Sequence, residues 1–274
     1  MVRPQSPTDT RLPQACETIP VALTDVDKLT TIVSESNAVI YCAGSVRGRN
    51  SADFAYANIH GVRSMLEALE RSGSAASMLL LSSLAASQPQ LSDYALSKHE
   101  GEHVLLARPS LPWTVLRPPA VYGPGDREML PILKMIRKGL LVQIGPPDQR
   151  LSLLHVDDLV NAILAWLSAP QKCRHKIYSI DDGTSGGYTW QAISEAVSRR
   201  KVLKLMLPRF LLETTARANL GVSRLLGYAP MLTPGKVREL LHPQWLCDNS
   251  EFSSDTGWTP GLDLKQGVQQ LFMN

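Results

Sequence analysis

The stretch Tyr94-Ala95-Leu96-Ser97-Lys98, with the serine pair Ser82-Ser83 just upstream, decides how this 274-residue chain reads. On a helix, side chains four residues apart share a face, so the Lys98 ammonium can hold the Tyr94 phenol in its field. A free tyrosine titrates near pH ~10, and a fixed neighbouring cation favours the phenolate and draws that value toward neutrality. The pair is therefore a candidate proton-transfer device. Ser83 is placed to hold the oxygen that gains or loses the proton. Ser82 competes for that part, because strand alternation does not decide which serine faces the site.

Outward from this stretch, the first half alternates apolar strand-like runs with amphipathic helices, the pattern of a parallel sheet with crossover helices. Strands are predicted over 38–42, 78–82 and 114–117, and helices over 53–71 and 92–107. Proline and glycine cluster between Pro118 and Gly125 and again at Gly145-Pro146-Pro147, where the loops of a second region should begin. A strand over 151–154, a helix over 158–167 and a strand over 176–180 are expected to return to the first domain.

With 44% hydrophobic residues, the chain suits one large α/β unit or a main domain with a smaller companion. A net charge of +3 with dispersed basic residues argues against a nucleic-acid partner. Cys16, Cys42, Cys173 and Cys247 lie far apart without metal-ligand spacing, so free thiols, no metal site and a cytoplasmic location are expected. The N-terminus lacks the apolar core of a signal peptide, and no apolar run reaches the ~18 residues that span a bilayer.

The helix bearing Tyr94 is followed by the apolar strand Trp113–Arg117 and then by Pro118-Pro-Ala-Val-Tyr-Gly-Pro-Gly-Asp126. Other landmarks are Tyr41-Cys-Ala-Gly44, Asn58-Ile-His-Gly61, His155-Val-Asp-Asp158 and Gly257-Trp-Thr-Pro260. In this order they resemble the extended short-chain dehydrogenase/reductase family, also called the NAD(P)-dependent epimerase/dehydratase family. The resemblance implies an α/β fold: an N-terminally truncated, Rossmann-like, doubly wound parallel sheet with a smaller C-terminal substrate lobe. It divides the chain into a partial NAD(P)-binding domain, 1–125 with 150–182, and a substrate-binding lobe, 126–149 with 183–274.

The resemblance also implies roles. Hydride passes between substrate carbon and the nicotinamide of NAD or NADP while Tyr94 exchanges a proton with the substrate oxygen. Lys98 lowers the tyrosine pKa and reaches the nicotinamide ribose, and Ser83 orients the substrate oxygen. Ala43 and Gly44 let the backbone approach the cofactor at a strand end. Asn58 stands where the family has an asparagine near the active site, with a purely structural helix position as the alternative. Leu23 is a candidate to pack on adenine, Pro118 joins the cofactor contacts, and Arg3 is either an adenosine 2′-phosphate contact favouring NADP or a plain exposed arginine.

Three departures from the family's pattern matter. Where the family has Gly-Asp-Leu before the helix preceding the 38–42 strand, this chain has Val21-Ala22-Leu23-Thr24-Asp25, so adenine recognition through that carboxylate is lost. Ala120 stands where many nucleotide-sugar members carry asparagine, and the short Ser83–Tyr94 interval leaves little room for their longer loop. Finally, no strand and Gly-rich turn opens the sequence, and Val2–Ser6 reads as the exit from the family's second strand. The expectation is a start placed too late or a fragment; the alternative is an inactive remnant without a phosphate loop.

At His155-Val-Asp-Asp158 an N-capping carboxylate is expected at a strand-to-helix junction rather than a metal set. The segment Leu203–Leu212, continuing to Leu226, mixes apolar and basic residues. It reads as core, as a greasy substrate pocket or as a peripheral membrane contact. With Thr233–Leu240 it looks most like the 3β-hydroxysteroid dehydrogenase and lipid ketoreductase branch. The leading reading is thus an NAD(P)-dependent oxidoreductase acting on a hydrophobic, lipid- or sterol-like small molecule. A nucleotide-sugar epimerase or dehydratase is the second reading, and helix-paired homodimers, frequent in the family, suit either.

Overall fold

The computed structural model describes Met1 and residues 15–273, so Arg3 lies outside the described residues. Helix α1 (Val26–Ser34) leads into β1 (Ala38–Tyr41); α2 (Ser51–Ala55), a π-helical turn (Tyr56–His60) and α3 (Gly61–Ser72) then run on as one helical stretch to β2 (Ser77–Leu81). Two 3-10 turns (Leu84–Ser87 and Pro89–Leu91) precede α4 (Asp93–Leu106), which is followed by β3 (Trp113–Arg117) and β4 (Ala120–Tyr122). Next come α5 (Met129–Arg137), β5 (Leu140–Gln143), β6 (Arg150–Leu151), β7 (Leu153–His155), α6 (Val156–Ser168) and β8 (Lys176–Ser179). The remainder holds α7 (Trp190–Val197), β9 (Leu203–Met206), α8 (Arg209–Leu226), α9 (Pro234–Leu241), β10 (Gln244–Trp245), α10 (Ser250–Thr256) and α11 (Leu264–Met273).

The central sheet has the order β1-β2-β3-β8, and all of its pairs are parallel. Its inner strands are apolar over Met78–Leu81 and Val115–Leu116 because both faces are covered there. Met78, Leu80 and Val115 enter one core with Leu29, Leu66 and Leu69 of α1 and α3. Leu79, Leu116 and Tyr178 enter the other with Trp166 of α6 and with Phe252 and Trp258. Helices therefore flank the parallel sheet on both sides, as expected of a Rossmann-like α/β fold. Among the described residues β1 forms one edge of this sheet.

Two expectations change. The helix predicted over 53–71 carries a π-helical turn, in which Asn58 is buried. The strand predicted over 151–154 is two short strands, because Ser152 turns its hydroxyl to the Asp181 carboxylate while its neighbours pair elsewhere. β6 pairs with β10, and β7 pairs with β4 beside the main sheet. Of the two strands expected to return, only β8 joins the central sheet.

Two glycines allow close packing around the π-helical turn, Gly101 of α4 against the turn itself and Gly61 against β1. A Cβ on Gly101 would stand 2.2 Å from the Asn58 carbonyl oxygen, and one on Gly61 would stand 2.2 Å from the Tyr41 hydroxyl. The Gly101 contact is with backbone, which cannot swing aside. Gly101→Ala is therefore expected to destabilise the protein by about 1–3 kcal/mol, the usual cost of overpacking, despite alanine's better helix propensity. Urea unfolding of the variant checks this, and unchanged stability would contradict the packing described.

Candidate active site

Ser92 caps α4, its hydroxyl accepting from the Ala95 amide at 3.0 Å. That cap starts the helix so that Tyr94 falls in its first turn and Ser97, Lys98, Gly101, Glu102 and Leu105 form the buried face. A buried face this polar survives only if each group finds a partner. Glu102 accepts from Arg117 Nε at 2.9 and 3.2 Å and from the Ser82 hydroxyl. Lys98 Nζ donates to the Leu81 carbonyl at 2.9 Å. Ser97 donates to the Tyr94 carbonyl at 2.8 Å and accepts from Asn58 Nδ2 at 2.8 Å.

These bonds distinguish the two serines geometrically. Ser82 is buried and committed to Glu102, whereas Ser83 is half-buried, caps the first 3-10 turn through the Ala85 amide at 3.2 Å and lies near the Tyr94 phenol. Burial raises the Tyr94 pKa from its ordinary value, and the nearby Ser83 hydroxyl works against that rise. The Lys236 ammonium of α9 also favours the phenolate, and Glu239 opposes it. The sequence offers Lys98 for the same part. Its ammonium instead turns toward the sheet and Gly44, and burial lowers its pKa to about 8, with Glu102 and Cys42 acting the other way.

Lys236 reaches Tyr94 because α9 abuts the start of α4. Thr233 caps α9 through the Lys236 amide at 3.1 Å, and Pro234 preorganises its first turn. Gly235 follows; a Cβ there would stand 2.8 Å from Ser92 Cβ. Lys236 Nζ donates to Glu239 Oε2 at 3.0 Å, and the buried Glu239 also accepts from the Ser92 hydroxyl. Arg238 Nε donates to the Leu91 carbonyl at 2.7 Å. Burial disfavours the Lys236 charge, yet Glu239, Tyr94 and Glu128 hold its pKa above the ordinary value. The signal for this residue was present in Thr233-Pro-Gly-Lys-x-x-Glu239, a capped first turn with a lysine–glutamate pair one turn apart.

The carboxyl ends of β1, β2 and β3 meet here, where ligands bind in parallel α/β sheets. After β1, the Ala43–Ser45 turn is fastened by Asn58, which accepts from the Ser45 amide and donates to the Ser45 carbonyl, both at 3.0 Å. A Cβ on Gly44 would stand 3.3 Å from Asn58 Oδ1 and 3.4 Å from Lys98 Nζ. This bare, polar-lined backbone fits the nicotinamide-ribose side of a dinucleotide. Leu23 packs near Gly61 against the first core, and the Pro118 carbonyl accepts from the Leu84 amide at 2.8 Å. Asp25, in the departing stretch, caps α1 through the Lys28 amide at 3.3 Å.

The His155 stretch corrects another expectation. The α6 cap is the buried His155 imidazole, accepting from the Asp157 amide at 3.3 Å, rather than a carboxylate. Asp158 instead receives the Gly261 and Leu262 amides at 2.9 and 3.0 Å, tying the C-terminal segment to α6. Among the described residues no group of three or more His, Cys, Asp or Glu side chains is arranged to hold a metal ion.

Residues 2–181 match the NAD dependent epimerase/dehydratase family. Ceramide reductase of Caulobacter vibrioides is 32% identical over 224 residues, which are 79% of this chain and 68% of that protein. The decarboxylating sterol-4-alpha-carboxylate 3-dehydrogenase of Saccharomyces cerevisiae is 22% identical over 282 residues, 90% of this chain and 80% of that protein. Among solved structures, UDP-glucuronic acid 4-epimerase of Bacillus cereus, in complex with UDP-glucuronic acid and NAD, superposes with a TM-score of 0.68 at 17% identity, covering 91% of this chain and 79% of that one. At that identity the likeness is one of fold.

The buried Lys98 makes stability depend on pH in a defined direction. Its folded pKa of about 8 lies below the ~10.4 of an unfolded lysine, so between these values the unfolded state binds the proton that the folded state has lost. Stability contributed at this site therefore rises with pH across that window. The difference in unfolding free energy, wild type minus Lys98→Met, is expected to increase from about pH 8 toward ~10.4. Denaturant titrations at several pH values check this; a flat difference would contradict it.

Proposed function

Because this chain belongs to the NAD dependent epimerase/dehydratase family, we propose that it is an NAD(P)-dependent oxidoreductase interconverting a carbonyl and a secondary alcohol on a hydrophobic, lipid-like substrate. The observation that carries the reading is the Tyr94 phenol, near Ser83 and in the field of Lys236, on the helix whose Lys98 lies beside Gly44. The bound nicotinamide supplies or accepts the hydride.

The remaining steps belong to the protein's own side chains. Ser83 holds the substrate oxygen beside the phenol, and in the reducing direction Tyr94 delivers its proton as that oxygen gains charge. Lys236 stabilises the phenolate left behind. Lys98, Asn58 and the Gly44 backbone hold the ribose end of the cofactor, Lys98 as donor and Gly44 by leaving room. Arg3, Leu23, Ala43 and Pro118 are retained as proposed cofactor contacts, completing the set read from the sequence.

The lipid-like substrate is supported by the relatives, one named a ceramide reductase and one a sterol dehydrogenase, and by the small Ala120 on β4. The proposal is tested by ketone-dependent NAD(P)H oxidation with long-chain and steroidal ketones. Tyr94→Phe is expected to lower kcat roughly 10²–10⁴-fold, the usual worth of a positioned acid–base group, while cofactor binding is kept. Full activity in Tyr94→Phe would remove Tyr94 from this role, and inertness of the wild type toward every such ketone would remove the substrate class.

A further inference from the structure

Helix α8 is amphipathic in an unusual sense, since both of its long faces are poor in charge. Its inner face, Leu212, Ala216 and Ser223, is buried, and Leu212 and Ala216 pack with Val237 of α9. Its outer face repeats Leu211, Thr215, Ala218, Val222 and Leu225, spaced by three or four residues as one side of a helix requires. This face is open: Leu225 is 87%, Leu226 74% and Phe210 71% exposed. Strand β9, which leads into α8, adds Leu203 at 70% and Met206 at 55%. Singly exposed apolar residues are ordinary on a protein surface, but a periodic row of them is a candidate interaction face.

Charge says what the face meets. On the helical wheel Arg217 and Arg224, seven residues apart, fall together on one side of the exposed surface, while Arg209 lies nearer the buried face. Arg199, Arg200, Lys201 and Lys204 lie just before the helix. Against these seven basic residues the stretch from Arg199 to Met231 has one acid, Glu213, which accepts from Arg209 Nε at 2.7 Å. This stretch alone is more positive than the whole chain, whose net charge is +3.

We propose that the outer face of α8, with β9, docks on an anionic lipid surface, its apolar row entering the headgroup boundary and its flanking basic residues meeting lipid phosphates. A second copy of the chain is the competing occupant, and the net positive charge of this stretch opposes pairing of two such faces. Spanning is not required of this helix: among the described residues no helix is long and apolar enough to cross a membrane. The docking does not rest on the proposed reaction. It does place the face one helix away from Lys236, because α8 packs on α9.

Flotation of the full chain with vesicles tests this, using phosphatidylcholine alone and phosphatidylcholine mixed with phosphatidylglycerol. The chain is expected to float with the anionic vesicles, to be released by high salt, and to bind neutral ones far more weakly. The Leu225→Glu/Leu226→Glu double variant is expected to lose binding while its thermal melt stays unchanged, as both residues are exposed. Arg217→Gln and Arg224→Gln are each expected to weaken binding roughly fivefold. Absence of flotation, equal binding to neutral vesicles or full binding by the leucine double variant would each overturn the proposal. So would self-association of the wild type that the same double variant abolishes, since a second copy would then be the occupant.

Discussion

The site depends on a short chain of polar contacts in which Lys236 and Ser92 both donate to the buried carboxylate of Glu239. Ser92 starts the helix that carries Tyr94, so the carboxylate that anchors α9 also holds the cap of α4. Buried ionic groups are tolerable only when their remaining hydrogen-bonding capacity is met, and here it is met from both helices. The C-terminal segment thereby does more than cover the site. It brings a cation of its own toward the tyrosine, while Lys98 on the sheet side donates to the Leu81 carbonyl.

A second layer of constraint lies under this one. Glu102 takes Arg117 and Ser82, Asn58 takes Ser45 and Ser97, and Gly101 admits the Asn58 backbone. Together these contacts join the ends of β1, β2 and β3 to one face of α4. The polar seam sits between two apolar cores, one on either side of the parallel sheet, so its geometry is set by surroundings that pack closely and yield little. This arrangement leaves Ser83 beside Tyr94 and keeps Gly44 bare above Lys98.

Much of the fold was legible because its signals are local. Strands buried on both faces read as apolar runs, and Ser92 before Tyr94 reads as a helix start. The π-helical turn at Tyr56–His60 was not legible, since it arises where Gly61 and Gly101 let two partners approach, which is a tertiary matter. The bond of Ser82 was likewise not legible, since its partner Glu102 is twenty positions away. The Tyr94–Lys98 spacing places both residues on one helix, but it does not say which carbonyl the ammonium will prefer. Lys236 is more than a hundred residues from Tyr94, and only the docking of α9 brings its charge to bear on the phenol.

The most direct test of this account is the pH dependence of kcat/KM for alcohol oxidation in the wild type and in Lys236→Met. Oxidation needs the phenolate of Tyr94, and loss of a neighbouring cation disfavours that form. The rising limb of the profile is expected to move to higher pH by roughly one unit in the variant. A limb that stays in place, in a variant with unchanged melting, would contradict the assignment of Lys236 as the cation that sets the tyrosine.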